Sequence, residues 1–250
     1  MLHIFPIPAF SDNYIWLLHN GRDAVAVDPG DAVPVLQHLE ELRLDLKAIL
    51  VTHHHADHIA GVKTLHQHYH AQVYAPGYEQ YTFVHTPVME GDIVKLDALG
   101  EIFTVMWLPG HTSSHIAYVN DTALFCGDVL FGAGCGRVRE GTPRQMLNSL
   151  NRLKELDPDT EVYCTHEYTE KNIAFALTLE PDNQDLWKRK EQVHQLRNND
   201  VSSLPSTIGL ELKTNPFLRC NQPAIIANSK TSDNDELSVF ITIRTLRNHY

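Results

Sequence analysis

The stretch Thr52 to His58, "THHHADH", packs four histidines and an aspartate into seven positions directly after the apolar run "LKAILV". Imidazole and carboxylate are the side chains that bind borderline divalent metals best. In extended backbone alternate side chains share a side, so His53, His55 and Asp57 converge while His54 and Ala56 point away. His58 opens the next helix and turns back toward the same point. One loop thus offers four ligands, too few to close two metal shells. The fold is therefore required to bring further donors to this loop from other strand ends.

Three candidates sit just past other apolar runs of strand length: His111 in "WLPGHTSSH", Asp128 in "LFCGDVLF" and His166 in "VYCTHEYT". Neighbouring strand ends are where an α/β sheet collects its site residues. With the loop they total five histidines and two aspartates, enough for a dinuclear centre. Three nitrogens would hold one ion; Asp57, His58 and a further histidine would hold the other, with a carboxylate between them. Metal binding lowers the pKa of water from 15.7 to about 7. Two divalent ions also outweigh two aspartates and a hydroxide, and the residual positive charge suits a developing oxyanion. Hydrolysis is the chemistry indicated. Histidines outside the pattern (His3, His19, His38, His85, His194, His249) read as surface or core residues. The run "LHQHYH" (His66, His68, His70) lies late in a helix with no carboxylate beside it.

The surrounding pattern begins with strands. "NYIWLLHN" and "DAVAVDPG" flank the turn signal Asn20-Gly21 and close on Asp28-Pro29-Gly30. "AVPVLQHLEELRL" and "IAGVKTLHQHY" carry helical periodicity. "AQVYA", "DIVKL", "FTVMWLP", "IAYVND" and "TALFCGD" read as strands, the last two as a hairpin. "TPRQMLNSLNRLKEL" is a helix with Thr142 at its N-cap and Pro143 at its first position, and "TEVYCTH" is a further buried strand. Beyond His166 the pattern turns helical: "YTEKNIAFALTLE", "DNQDLWKRKEQVHQLRNND", a polar loop, then a terminal helix "DELSVFITIRTLRNHY". A strand-rich part over 1–166 and a helical part over 167–250 are expected.

A 43% apolar and 20% charged composition is that of a chain with a packed core. The net charge of -11 leaves no room for a large basic face, which argues against nucleic acid or an anionic membrane as partner. A small anionic ligand held by a few arginines stays open. We find no leader pattern and no apolar stretch of the ~20 residues that spans a bilayer. Cys126, Cys135, Cys164 and Cys220 are scattered and read as reduced core thiols, which places the protein in the cytoplasm. Neither Cys126 nor Cys135 has a basic neighbour in sequence to make it a nucleophile.

In this order, "THHHADH", "GHTSSH", "GD" and "THEYT" resemble the metallo-β-lactamase superfamily. Its fold is α/β, a four-layer αβ/βα sandwich with metals at one edge. Within it the chain is similar to the glyoxalase II family over essentially its whole length, including a smaller helical C-terminal domain. The resemblance implies a catalytic domain over 1–166 and a glutathione-binding domain over 167–250. It implies His53, His55 and His111 on one metal, Asp57, His58 and His166 on the other, and Asp128 bridging. Asp57 and Asp128 are then the catalytic carboxylates that tune and bridge the ions. Zinc is the family's usual metal, with iron and manganese also accepted. The implied reaction splits S-D-lactoylglutathione into D-lactate and glutathione by attack of a metal-bridging hydroxide, completing methylglyoxal detoxification. The partner is a small glutathione thioester, and the chain is expected to act as a monomer.

Substrate positions carry over residue by residue: Arg137 in "GCGRVREGT", Tyr168 and Asn172 in "HEYTEKN", Arg244 and Arg247 in "IRTLRNHY". Four positions depart from the family. Arg139 stands where an aromatic is frequent, Ser114 where glycine is common, Arg247 in place of lysine, and Asn248 in place of an acid. A guanidinium keeps the charge without duplicating an ammonium. His115 is expected to support a ligand. A β-lactamase would need a cysteine where Asp128 stands. Two rivals remain: a one-iron glutathione persulfide dioxygenase on the same scaffold, and a metal-binding protein without turnover.

Overall fold

The computed structural model describes residues 2–231 and 233–250. The chain divides into two compact units. The first comprises residues up to Trp107 together with Ser114–Asn120 and Leu124–Gly127; the second comprises Leu108–Ser113, Asp121–Ala123 and Asp128–Tyr250.

The first unit begins with β1 (His3–Ala9), β2 (Asn13–His19) and β3 (Asp23–Val27), which pair antiparallel. Helix α1 (Ala32–Glu41), capped by the Asp31 carboxylate on Val33 N at 2.9 Å, crosses over to β4 (Asp45–Leu50). Short α2 (Ala56–Ile59) and α3 (Val62–Tyr69) lead to β5 (Gln72–Pro76), and β6 (Thr86–Val88) completes the sheet. From β3 to β6 the strands run parallel and in chain order. Parallel pairs need crossovers, so β3 and β4 both deliver their C-terminal ends to one edge.

Both faces of this sheet are covered. Ala24 and Ala26 of β3 join a core with Val35 and Leu39 of α1 and Leu65 of α3, while Val25 and Val27, on the other face, are equally buried. That two-sided burial is why residues 24–27 ("AVAV") and 48–51 ("AILV") read as continuous apolar runs. The unit continues with antiparallel β7 (Ile93–Leu96), β8 (Glu101–Trp107), β9 (Ile116–Val119) and β10 (Ala123–Gly127), the last two forming the expected hairpin. Tyr118 Oη donates to Val51 O at 3.0 Å and Tyr74 O at 3.1 Å, and Ile116 N donates to Thr52 O at 3.0 Å. These bonds fix the backbone immediately before the histidine loop.

The second unit holds a small hairpin, β11 (Leu130–Phe131) and β12 (Gly134–Cys135), then α4 (Pro143–Leu153) and β13 (Glu161–Cys164). Helices α5 (Thr169–Leu179) and α6 (Gln184–Asn198) follow, then β14 (Ser206–Thr207), which pairs with β13. Helix α7 (Ile208–Thr214), a 3-10 turn at Pro216–Leu218, α8 (Pro223–Ser229) and α9 (Glu236–Asn248) complete it. Residues 201–234, read from sequence as a polar loop, therefore contain β14, α7, the 3-10 turn and α8. Pro205, Pro216 and Pro223 cut this region into pieces too short to display a period. Strand β1 also escaped the pattern, because Pro6 and Pro8 interrupt it; as an edge strand it tolerates them.

Thr142 caps α4 as expected. Its Oγ1 accepts from Gln145 N at 3.2 Å while Gln145 Oε1 accepts from Thr142 N at 2.9 Å, a reciprocal capping box. Thr142→Ala is expected to destabilise the protein by about 1 kcal/mol, seen as a lower urea midpoint at unchanged slope.

Candidate metal centre

In the first unit, β4 hands over to an extended segment that ends at His55, the N-cap residue of α2. His53 and His58 are fully buried. His53 Nε2 lies 3.0 Å from His55 Nδ1, and His58 Nε2 lies 3.5 Å from Asp57 Oδ2. Asn13 Nδ2 donates to Asp57 Oδ2 at 3.1 Å. The four donors of this loop thus converge as alternation and the helix start dictate. His54 takes another route, its Nδ1 sitting 3.3 Å from Glu79 Oε1. The ring of His115 stacks on that of His53 with centroids 4.7 Å apart.

One residue of this loop's surroundings was read from sequence only as part of a turn. Asp28, at the end of β3, is buried in the left-handed region with φ 50°. Its carboxylate accepts from Thr52 N and Thr52 Oγ1, both at 2.7 Å, and from His58 Nδ1 at 2.9 Å. The His58 proton is thereby held on Nδ1, and the lone pair on Nε2 is turned toward Asp57. Ligand-type atoms of Asp28, His53 and His58 lie within 4.8 Å of one another. Two residues on, Gly30 packs so closely beneath the loop that a Cβ there would lie 1.8 Å from the Asp57 carbonyl oxygen. The available signal was position: an aspartate at the C-terminal end of a buried strand, beside the strand that ends in the histidines.

In the second unit, His111, Asp128 and His166 come together. His111 Nε2 is 3.3 Å from Asp128 Oδ2 and His166 Nε2 is 3.3 Å from Asp128 Oδ1, with all three side chains buried. His111 Nδ1 donates to Arg137 O at 2.8 Å, so its Nε2 presents a lone pair to the carboxylate. Lone pairs facing lone pairs repel, and a cation among them turns the repulsion into coordination. The donor set fits a divalent metal. The Tyr168 ring stacks flat on His166 (centroids 4.8 Å apart, planes 1° apart), and Phe131 meets both rings edge-on.

The same unit gathers the arginines expected to meet substrate. Arg244 is buried; it donates to Cys135 O at 2.6 Å and to Asn248 Oδ1 at 3.2 Å and lies over the Phe217 ring. Half-buried Arg247 donates from Nε to Asn172 Oδ1 at 3.0 Å, and Arg137 is exposed. Asn172 is itself buried, its amide also donating to Gly132 O at 2.9 Å. Among the described residues no carboxylate pairs with Arg137, Arg244 or Arg247. Burial first, and then the charges of Arg244 and Arg137, push the Arg247 guanidinium below its ordinary pKa. Arg139 is exposed, its backbone N–H donating to His111 O at 3.3 Å. All four cysteines are buried and unpaired by disulfide, and burial pushes the Cys135 thiol up against the opposing pull of Arg244.

A family model described as "Metallo-beta-lactamase superfamily" matches residues 9–166, and one described as "Hydroxyacylglutathione hydrolase C-terminus" matches 167–250. A protein of Methylobacillus flagellatus named hydroxyacylglutathione hydrolase is 54% identical over all of both chains. The chain belongs to the hydroxyacylglutathione hydrolases of the metallo-β-lactamase superfamily. Among solved structures, the BLEG-1 B3 metallo-β-lactamase superposes with a TM-score of 0.65 at 23% identity, covering 87% of this chain and 99% of that one. TTHA1623 in a di-iron-bound form gives 0.60 at 26% identity, covering 86% and 100%. This hydroxyacylglutathione hydrolase family member is thus a hydrolase with the metallo-β-lactamase fold, a C-terminal helical part and His/Asp clusters of a binuclear metal site. No helix of the described residues is long and apolar enough to cross a membrane.

Asp28→Asn is expected to weaken binding of one ion by about 10- to 100-fold with the far-UV circular dichroism unchanged. Competition against a calibrated chelator measures it; undiminished affinity for both ions would show that Asp28 does not orient His58.

Proposed function

We propose that this chain hydrolyses S-D-lactoylglutathione and related S-2-hydroxyacylglutathiones to the hydroxy acid and glutathione. In this reading His53, His55 and His111 would hold one ion and Asp57, His58 and His166 the other, with Asp128 available to both. The observation that carries the substrate class is the group of Arg137, Arg244 and Arg247. Arg244 and Arg137 both repel Arg247, and none of the three meets a carboxylate among the described residues, in a chain of net charge -11. Unneutralised arginines, one of them buried, call for an anionic ligand, and glutathione carries two carboxylates.

Bound divalent ions supply Lewis acidity and a water acidic enough to be a nucleophile near neutral pH. The protein's own groups do the positioning. Asp28 sets the tautomer of His58, and Asn13 steadies the half-buried Asp57 carboxylate. The Arg137 carbonyl fixes His111, so one residue serves a ligand through its backbone and the substrate through its side chain. Tyr168 backs the His166 ring, and Asn172 holds the Arg247 guanidinium through its side-chain oxygen. Asn248, standing where the family has an acid, accepts from Arg244 without cancelling its charge.

Nitrogen-rich donors with two carboxylates favour zinc, with iron or manganese also accommodated. The C-terminal family model beginning at residue 167 supports a division of labour between a catalytic part over 1–166 and a glutathione-recognising part over 167–250. We place the enzyme in the cytoplasm, as a monomer, where methylglyoxal is detoxified.

Loss of thioester absorbance with S-D-lactoylglutathione tests the activity. Turnover in the ordinary enzymatic range of about 1–10³ s⁻¹ is expected, abolished by chelation and restored by zinc. Asp128→Ala should lower bound metal and kcat together; survival of both would contradict the assignment. Arg247→Ala should raise KM about tenfold with little change in kcat, the mark of lost uniform binding. An unchanged KM would remove the arginine group from substrate recognition.

A further inference from the structure

Between Asp128 and Arg137 the chain makes the β11–β12 hairpin, whose strands are two residues each. So small a hairpin cannot hold itself. Side chains from elsewhere in the second unit hold it. Asn215 Nδ2 donates to Phe131 O at 3.2 Å and Gly134 O at 2.9 Å. Asn172 takes Gly132 O and Arg244 takes Cys135 O. The remaining link is a donor: Ala133 N–H reaches Glu211 Oε2 at 2.8 Å. Ala133 sits at φ 51°, a left-handed conformation that a residue with a Cβ avoids unless its surroundings impose it.

Glu211 is fully buried and saturated. Its Oε2 also accepts from Asn215 Nδ2 at 2.9 Å, and its Oε1 accepts from Ser206 Oγ and from Arg189 Nη2, the latter at 2.6 Å. Arg189, itself buried, donates further to Thr214 Oγ1 at 2.6 Å. A buried ion pair is a weak source of stability compared with apolar residues of the same volume, and one role attributed to such pairs is fixing a single geometry. Here the pair is aimed at the backbone N–H of a strained residue, inside the segment that links a metal-ligand position to a substrate-binding one. Gly136 tightens that link: a Cβ there would lie 1.9 Å from the Asp128 carbonyl oxygen.

We propose that Glu211, held by Arg189, is a positioning residue: it locks residues 131–135 so that Arg137 and Arg244 stand in fixed register with Asp128 and receive the glutathione end of the substrate. The kinetic consequence rests on the thioesterase reading; the lock itself does not.

The test uses the full, metal-loaded chain carrying Arg189→Met and Glu211→Leu together, an apolar exchange of the kind buried ion pairs often tolerate without loss of stability. Two substrates are compared: S-D-lactoylglutathione and the D-lactoyl thioester of N-acetylcysteamine, which has the same acyl group and no carboxylates. KM for the glutathione thioester should rise about tenfold, while kcat/KM for the truncated thioester changes less than about twofold. Equal losses on both substrates would mean general damage and overturn the proposal, as would no change on either. Hydrogen exchange on the unaltered chain gives a second reading that does not depend on the double variant folding. The Ala133 amide should exchange as slowly as the amides of β13; exchange at the rate of an exposed turn overturns the lock. An unaltered chain that cleaves neither thioester would overturn the thioesterase reading, and the exchange result would still decide the lock.

Discussion

Asp128 meets the Nε2 atoms of His111 and His166 at 3.3 Å each in a buried setting. For His111 that nitrogen carries a lone pair, because the Arg137 carbonyl claims the proton on the other side of the ring. A desolvated carboxylate facing the His111 lone pair is unfavourable unless positive charge lies between them. A metal ion would supply that charge, and the His/Asp clusters on this fold suggest a binuclear metal site. Metal binding and local order are therefore coupled.

The histidine loop is organised on the same principle from a different direction. A parallel sheet brings the ends of β3 and β4 side by side, and Asp28 uses that adjacency to grip both the backbone of Thr52 and the ring of His58. The orientation of the His58 ring thus depends on one carboxylate that need not touch a metal. In the second unit the buried Glu211–Arg189 pair has the comparable task of fixing backbone, there on the substrate side.

What could be read from the amino-acid order follows from the period of each signal. The convergence of "THHHADH" was legible because an alternation of two places His53, His55 and Asp57 on one side, and α4 because a capping residue, a proline and a three-four repeat coincide. Asp28 was hidden inside Asp-Pro-Gly, which serves equally well as a turn. Arg189 was hidden more thoroughly: it sits between Lys188 and Lys190, both exposed, in a helix crowded with charge, and only the fold shows that one of the three cations points inward. Helices α7 and α8 were lost because seven residues hold barely two turns, too few for a period to emerge. The arginines proposed to meet substrate were legible only by resemblance, since basic residues near a helix C-terminus serve the helix dipole just as well.

Everything proposed for catalysis depends on the His/Asp donors holding two ions rather than one or none. Native mass spectrometry of the chain, stripped and then titrated with zinc, counts them directly. Saturation at two ions per chain is the expected result, with the second lost when Asp57 is replaced by Ala. Saturation at a single ion, or a spectrum that stays metal-free at excess zinc, would contradict the dinuclear site.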